Sequence, residues 1–191
     1  MTTAVIDATF DSYAASDGTE DETGTAILVG AAVDGVTQRS QLYHPTTGIT
    51  AGSTVTDTDL QFNVTVENIE AGEGVNVRGY NTNGSDDPNA DTAADKYARS
   101  ILGTIMVGID CSSTGSKTGD LGATGDAIVE AQIGSFVSFG LAHLNQDAEE
   151  RISIESIENA GSDPATLTVV YTEPAGGTTH PGWYGQRGGF W

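Results

Sequence analysis

The sequence contains few basic residues. Only 7 of its 191 residues are Lys or Arg, against 27 that are Asp or Glu, and the formal net charge at pH 7 is −20. Nucleic-acid binding requires clustered Lys and Arg to neutralise phosphates, and an anionic membrane surface attracts the same residues. The composition therefore argues against both classes of partner, and we expect neither nucleic acid nor membrane to be bound.

Cysteine and long hydrophobic runs are also scarce. Cys111 is the single cysteine, so no disulfide can form within the chain, and its Ser/Thr/Gly-rich loop offers no local base to activate a thiol. No stretch approaches the 18 apolar residues typical of a transmembrane helix, and the first residues lack the charged and apolar regions of a secretory signal. We expect a protein that resides, or is assembled, in the cytoplasm.

Short apolar segments separated by turn residues make up most of the chain. In the clearest segment, 59–70, Leu60, Phe62, Val64 and Val66 alternate with polar residues. This period of two predicts a strand with one buried and one solvated face. The turn at 71–74 leads into a second alternating segment, 75–80, and so predicts a hairpin.

The remaining pattern is also mostly that of strands. Further strands are predicted at 4–13, 25–33, 38–43, 135–145, 151–158 and 166–172, with an apolar run at 101–109 and a loop at 110–125. Short helices are predicted at 93–100 and at 127–133, the latter with Asp126 as its N-cap. Eight or nine strands with little helix predict an all-β, antiparallel β-sandwich of the jelly-roll type spanning 1–173.

The last 18 residues, 174–191, differ from the rest of the chain. They contain no Asp or Glu, are rich in glycine and hold both tryptophans. Large aromatic side chains are enriched at binding hot spots, and an exposed aromatic segment needs a covering surface. We predict a docking arm for a neighbouring subunit; the alternative is that the arm folds back on its own sandwich. Its predicted contact residues are Trp183, Tyr184, Arg187, Phe190 and Trp191.

An acidic loop at 86–91 is the candidate metal site. Asp87, Asn89 and Asp91 place oxygen atoms at alternate positions beside Asp86, an arrangement suited to Ca²⁺, which gathers six to eight oxygen ligands. The loop lacks the Gly and Glu of an EF-hand, so the alternative is a solvated acidic loop. The three histidines lack the spacing of a metal motif. His143 follows the apolar face of its strand and is interpreted as a buried or edge residue.

Several segments, in their order along the chain, resemble those of the DNRLRE-type jelly-roll modules. These modules are related to carbohydrate-binding modules and recur in virion proteins of tailed viruses. The resemblance covers residues 4–173. The similar segments are ATFDSY at 8–13, QRSQLYH at 38–44, ITAGSTV at 49–55, LQFNV at 60–64, SFGLA at 138–142, RISIE at 151–155 and PATLTVVY at 164–171.

The resemblance implies a non-enzymatic structural protein of a tailed-virus virion, assembled in the host cytoplasm. Within that class we expect a capsid decoration or stabilising protein on the particle surface. It would form a homo-oligomer and bind the major capsid protein or other virion subunits. The alternative is a carbohydrate-binding or host-adhesion module that recognises a host glycan. A polysaccharide lyase on the same class of fold is a third option, but no catalytic residues are apparent.

The acidic charge also indicates the environment of the protein. Many copies at −20 on one shell would repel one another unless salt screens them. The Debye length falls from about 10 Å at 0.1 M salt to about 3 Å at 1 M. We therefore expect a salt-rich or marine host, and assembly that weakens at low salt.

Overall fold

The computed structural model of the protein describes residues 1–31, 35–143, 150–159 and 163–175. Antiparallel β-structure dominates these residues, and the expected all-β, sandwich-like fold class is confirmed. The described residues also contain two α-helices, α1 (Ala93–Arg99) and α2 (Gly122–Ala131), and a 3₁₀ turn (Pro88–Ala90). The strands are β1 (Thr2–Asp7), β2 (Phe10–Ala15), β3 (Glu20–Asp21), β4 (Ala26–Ala31), β5 (Thr37–Pro45), β6 (Thr54–Asn68), β7 (Gly74–Gly79), β8 (Ile105–Asp110), β9 (Gly115–Asp120), β10 (Phe136–His143), β11 (Arg151–Glu155) and β12 (Thr166–Thr172).

The strands form one curled sheet in the order β1-β12-β6-β11-β4-β5-β10-β7-β8. Strand β2 pairs with β5 and β3, and β9 pairs with β6 outside this path. Because a twisted sheet of this width curls, the inward side chains of its two halves share one core. Fully buried core residues include Leu42, Leu60, Phe62, Val77, Phe139, Leu141, Ile152, Ile154 and Leu167.

Strand β6 follows its predicted alternation only as far as Val64. Leu60, Phe62 and Val64 are buried, but Val66 is 52% exposed. Along β11, Ile154 lies opposite Val64 and the adjacent Ser153 lies opposite Val66, so the register shifts by one residue between them. A β-bulge of this kind turns the following side chains to the other face. The prediction that Val66 shares the buried face is therefore wrong.

The predicted hairpin between β6 and β7 is also wrong. Strand β7 pairs with β8 and β10, whereas β6 pairs with β12, β11 and β9. The turn at Gly72 carries the chain away from β6, and Gly74 then packs closely against β8. A Cβ atom on Gly74 would lie 1.8 Å from the carbonyl oxygen of Ile109, so only glycine permits this approach.

Several shorter elements differ from their predicted bounds. The predicted strand 4–13 is divided at Ala8, because β1 pairs with β12 while β2 pairs with β5. Strand β9 lies in the predicted loop 110–125, where Gly, Ser and Thr give no apolar alternation. Helix α2 begins before Asp126, which does not cap it but accepts a hydrogen bond from Thr58 Oγ1 at 2.8 Å. The predicted helix at 93–100 is confirmed as α1.

Helix α1 covers part of the outer face of β5. The guanidinium of Arg39 lies 3.9 Å from the centre of the Tyr97 ring, and Gln41 Nε2 donates to Ser100 Oγ at 2.6 Å. Tyr43, two residues further along β5, lies beyond the helix and remains half-buried. The uncovered end of this face holds the candidate site.

Candidate ligand-binding groove

The acidic loop that precedes α1 is held by its own hydrogen bonds. Asp87 caps the 3₁₀ turn, because its Oδ1 accepts from the backbone N–H of Asn89 at 3.0 Å. Thr92 in turn caps α1 by accepting from the backbone N–H of Asp95. These caps fix the position of the loop against the outer face of the sheet.

Two of the predicted calcium ligands face an arginine. Nη1 of Arg99 lies 2.5 Å from Oδ2 of Asp86 and 3.4 Å from Oδ2 of Asp91. Asp86 also accepts from Asn81 Nδ2 at 2.5 Å, and Asp91 accepts from the Tyr80 hydroxyl at 2.8 Å. The arginine supplies the positive charge that an ion would supply, so Ca²⁺ at this loop stays a prediction and would have to displace Arg99.

Three aromatic side chains form a row on the outer face beside this loop. Phe10 of β2 lies directly opposite Tyr43 of β5. Phe136 of β10 stacks on Tyr43, with 4.7 Å between ring centres and 24° between ring planes. All three side chains are half-buried, so each keeps part of its surface in contact with solvent.

The loop and two of these aromatic side chains, Phe10 and Tyr43, enclose a shallow groove of about 180 Å³. Its lining residues are Thr9, Phe10, Tyr43, Asp87 and Asn89. Burial, and secondarily the charge of Asp87, raises the pKa of the Tyr43 hydroxyl, which therefore stays protonated and can donate a hydrogen bond. Aromatic surface beside a carboxylate and an amide can bind a small ligand with one apolar face and several hydroxyl groups.

A larger cleft of about 440 Å³ lies elsewhere on the sheet, between β6 and the segment before β12. Its amide side chains are bonded to neighbours: Gln61 Nε2 donates to Ser116 Oγ at 2.9 Å, and Asn63 Nδ2 donates to Glu155 Oε2 at 2.6 Å. Because both amide groups already have hydrogen-bond partners within the protein, we regard the smaller groove as the better candidate site.

The predicted docking residues are not placed by the structure. Trp183, Tyr184, Arg187, Phe190 and Trp191 lie outside the described residues, and their role in docking stays a prediction. The described part of the chain ends at Ala175, three residues after β12. Strand β12 lies between β1 and β6, and its last residue, Thr172, pairs with Thr54 of β6.

Sequence reasoning identified the acidic loop but missed the aromatic row. Phe10, Tyr43 and Phe136 are far apart in the sequence and meet only through the pairing of β2, β5 and β10. Each is a large aromatic residue near the end of an alternating segment, which is the one signal that could have singled them out.

No protein-family model matches the chain, and no curated protein matches it. The resemblance to the DNRLRE-type modules therefore stays a prediction. Among the helices of the described residues, none has the length and apolar character needed to cross a membrane.

Proposed function

We propose that the protein is a non-enzymatic structural subunit of a tailed-virus virion, acting as a capsid decoration or stabilising protein. The observation that carries the proposal is the division of the chain into two chemically different parts. All 27 acidic residues precede Pro174, and among the side chains of the arm only that of Arg187 carries a formal charge. A highly acidic, solvated body with an aromatic arm suits a surface subunit anchored to its neighbours.

The β1 edge of the sheet supports the proposal of assembly. Strand β1 is the last strand of the sheet order and, within the described residues, pairs only with β12. Its outer side presents backbone groups to solvent, and Val5 is 67% exposed. Such an edge accepts a further strand from another chain. Its first charged side chain is that of Asp7, so little opposes such pairing along Thr2–Asp7.

The environment of Cys111 supports a structural rather than a catalytic role for this residue. The thiol is buried and donates to the carbonyl oxygen of Ile109 at 3.3 Å. Burial raises the pKa of the Cys111 thiol to about 12, so the thiol is protonated at neutral pH. A protonated, buried thiol is a poor nucleophile.

Labelling and rebinding of particles test the proposal. An antibody raised against the purified protein should label the surface of isolated virions, and a low-salt wash should release the protein. Re-added full-length protein should rebind at high salt, whereas the double variant Trp183→Ala/Trp191→Ala should not. Tyr13→Ala, which removes a half-buried aromatic from the body, serves as the matched control and should rebind. Unlabelled particles would refute the virion assignment, and rebinding by the double variant would refute the anchoring role of the arm.

The second candidate function is recognition of a host glycan, and the groove at Tyr43 favours it. Phe136 supports the Tyr43 ring from one side, and Asp87 and Asn89 offer hydrogen-bonding groups at the groove. A sugar ring could place its apolar face on the aromatic surface while its hydroxyl groups bind the polar side chains.

Binding to immobilised oligosaccharides tests this second function. The full-length protein should bind at least one glycan class, and Tyr43→Ala should abolish the binding while Tyr13→Ala retains it. A glycan screen without binding, or equal binding by Tyr43→Ala, would refute a glycan site in the groove.

A further inference from the structure

A separate cluster of ionisable side chains lies where β10 ends and where β7 and β11 begin. Glu73, His143 and Glu150 each place one potential ligand atom within 4.8 Å of the others. Nε2 of His143 lies 4.0 Å from Oε2 of Glu73. The cluster therefore combines one imidazole nitrogen with two carboxylate groups in a volume that one ion could fill.

The backbone of each residue in the cluster is fixed by the sheet. His143 is the last residue of β10 and pairs with Val75 of β7. The carbonyl oxygen of Glu73 accepts from the backbone N–H of Cys111 at 3.0 Å, and that of Glu150 accepts from the backbone N–H of Ala31 at 2.7 Å. The three side chains thus start from well-defined positions, as a preorganised site requires.

The cluster joins parts of the sheet that are not adjacent. In the strand order, β4, β5 and β10 lie between β11 and β7. Glu150 and Glu73 nevertheless approach each other because the sheet curls. Gly30 of β4, with φ +124°, allows the chain before β11 to lie close: a Cβ atom there would be 2.1 Å from the carbonyl oxygen of Glu150.

Burial distinguishes the cluster from an ordinary acidic surface patch. The His143 side chain is fully buried, that of Glu73 is 13% exposed, and Glu150 is half-buried. Holding two carboxylates beside a buried imidazole concentrates negative charge in a region of low dielectric, which a divalent cation would offset.

The ligand types indicate which cation fits. Imidazole nitrogen together with carboxylate oxygen is a common donor set for Zn²⁺, whereas Ca²⁺ and Mg²⁺ prefer oxygen donors alone. Ligands about 2.0–2.1 Å from a tetrahedral zinc lie about 3.3 Å apart. The 4.0 Å separation between Glu73 and His143 therefore contracts to that value through a small movement of the flexible glutamate.

We propose that Glu73, His143 and Glu150 form a binding site for a divalent transition-metal ion of the Zn²⁺ type, with water completing its coordination. The ion fastens β7, β10 and β11 together at this end of the curled sheet. The site differs from the acidic loop at 86–91 both in position and in donor chemistry. It requires no virion, so it can hold whether or not the proposed function is correct.

Metal titration of the purified full-length protein tests the site. After treatment with a chelator, calorimetry should show one equivalent of Zn²⁺ bound and little response to Ca²⁺ at the same concentration. Zn²⁺ should also raise the melting temperature. Glu150→Gln and His143→Asn should each weaken Zn²⁺ binding by at least about tenfold, the loss typical even of an outer-shell partner. His180→Asn, which removes a histidine from the arm, is the matched control and should bind as the wild type does.

Each outcome of this experiment bears on the site. Absence of Zn²⁺ binding by the wild-type protein would overturn the proposal, as would wild-type affinity in Glu150→Gln. Loss of binding in His180→Asn would place the metal on the arm and would also overturn it. If the buried substitution His143→Asn prevents folding, Glu150→Gln decides the matter alone, because its shape is conserved and its position is half-buried.

Discussion

Arg99 and Asp86 form an ion pair that ties the end of α1 back to the loop preceding the helix, with 2.5 Å between Nη1 and Oδ2. The two side chains are 34% and 31% exposed, so water screens part of their attraction. The pair therefore contributes modest stability. Its main consequence is electrostatic, since Arg99 offsets part of the negative charge where the loop brings together the carboxylates of Asp86 and Asp91.

Replacing Arg99 should increase the affinity of the acidic loop at 86–91 for Ca²⁺. Arg99→Gln leaves Asp86 and Asp91 close together without their counter-charge, and we expect the unfolding free energy to fall by about 1 kcal/mol. We expect the variant to bind Ca²⁺ about tenfold more tightly than the wild type, as measured by calorimetry. Arg151→Gln, at an exposed arginine, should change neither quantity. A Ca²⁺ titration without heat in both proteins would remove the loop as a calcium site.

The ion pairs of Lys96 predict an asymmetric response to mutation. Lys96 is fully buried, lies 3.0 Å from Glu20 and also contacts Glu22, while both glutamates remain more than one-third exposed. In Lys96→Met the two glutamate side chains can reorient into solvent, so we expect the unfolding free energy to fall by about 1 kcal/mol. In Glu20→Gln/Glu22→Gln the lysine keeps its buried charge without a counter-charge, and we expect a loss of about 3 kcal/mol. Urea unfolding measures both, and equal losses would contradict a buried lysine charge.

The buried carboxyl of Asp11 should make the protein less stable as the pH rises. Its Oδ2 accepts from the backbone N–H of Ile157 at 2.8 Å. Burial raises the pKa of the Asp11 carboxyl to about 7; the hydrogen bond from Ile157 opposes this rise, and the charge of Glu158 adds to it. Between about pH 4 and 7 the folded protein holds a proton that the unfolded chain releases. Unfolding free energy therefore falls across this window, by on the order of 1 kcal/mol per pH unit. Asp11→Asn should lose this contribution; an unchanged profile would refute it.

The buried ring of His44 should have the opposite effect on stability over nearly the same pH range. Its ring is fully buried, with Nε2 3.3 Å from the carbonyl oxygen of Ala165, and burial lowers its pKa to about 4. Between about pH 4 and 6.5 the unfolded chain binds a proton that the folded protein excludes, so stability falls as the pH falls. His44→Gln should remove this slope in denaturant titrations. The contributions of Asp11 and His44 to the pH dependence of stability have opposite signs and can cancel in the wild type, so single variants are needed to separate them. If the unfolding free energy of His44→Gln had the same pH slope as that of the wild type, the lowered pKa of His44 would be contradicted.

Local patterns in the sequence predicted most of the elements but not how they pair. Helix α1 and strand β12 were predicted to within about one residue, because their periodicity and flanking residues are local properties. Pairing depends instead on which edges meet when the sheet curls. The turn at Gly72 therefore predicted a hairpin with β6, although the chain crosses to β8 and β10.

The candidate site, too, could be predicted from the sequence only where its features are local. The alternating oxygen ligands at 86–91 could be read directly from the sequence. That Arg99 occupies the space between Asp86 and Asp91 depends on α1 folding back over the loop. The contact between Tyr43 and Phe136 depends on the register of β5 against β10, and a shift of one residue would send Tyr43 into the core.

The bulge in β6 allows a direct test of the register of β6 against β11. Val64 is 1% exposed and Val66 is 52% exposed, although a strict alternation would bury both. Val64→Ala should cost about 2 kcal/mol, because two buried methyl-sized groups are lost and a cavity remains, whereas Val66→Ala should change stability by less than about 0.5 kcal/mol. Chemical denaturation of the two variants compares the same substitution two residues apart. Equal losses would mean that Val66 is also packed in the core, and the register shift opposite Ser153 and Ile154 would then be incorrect.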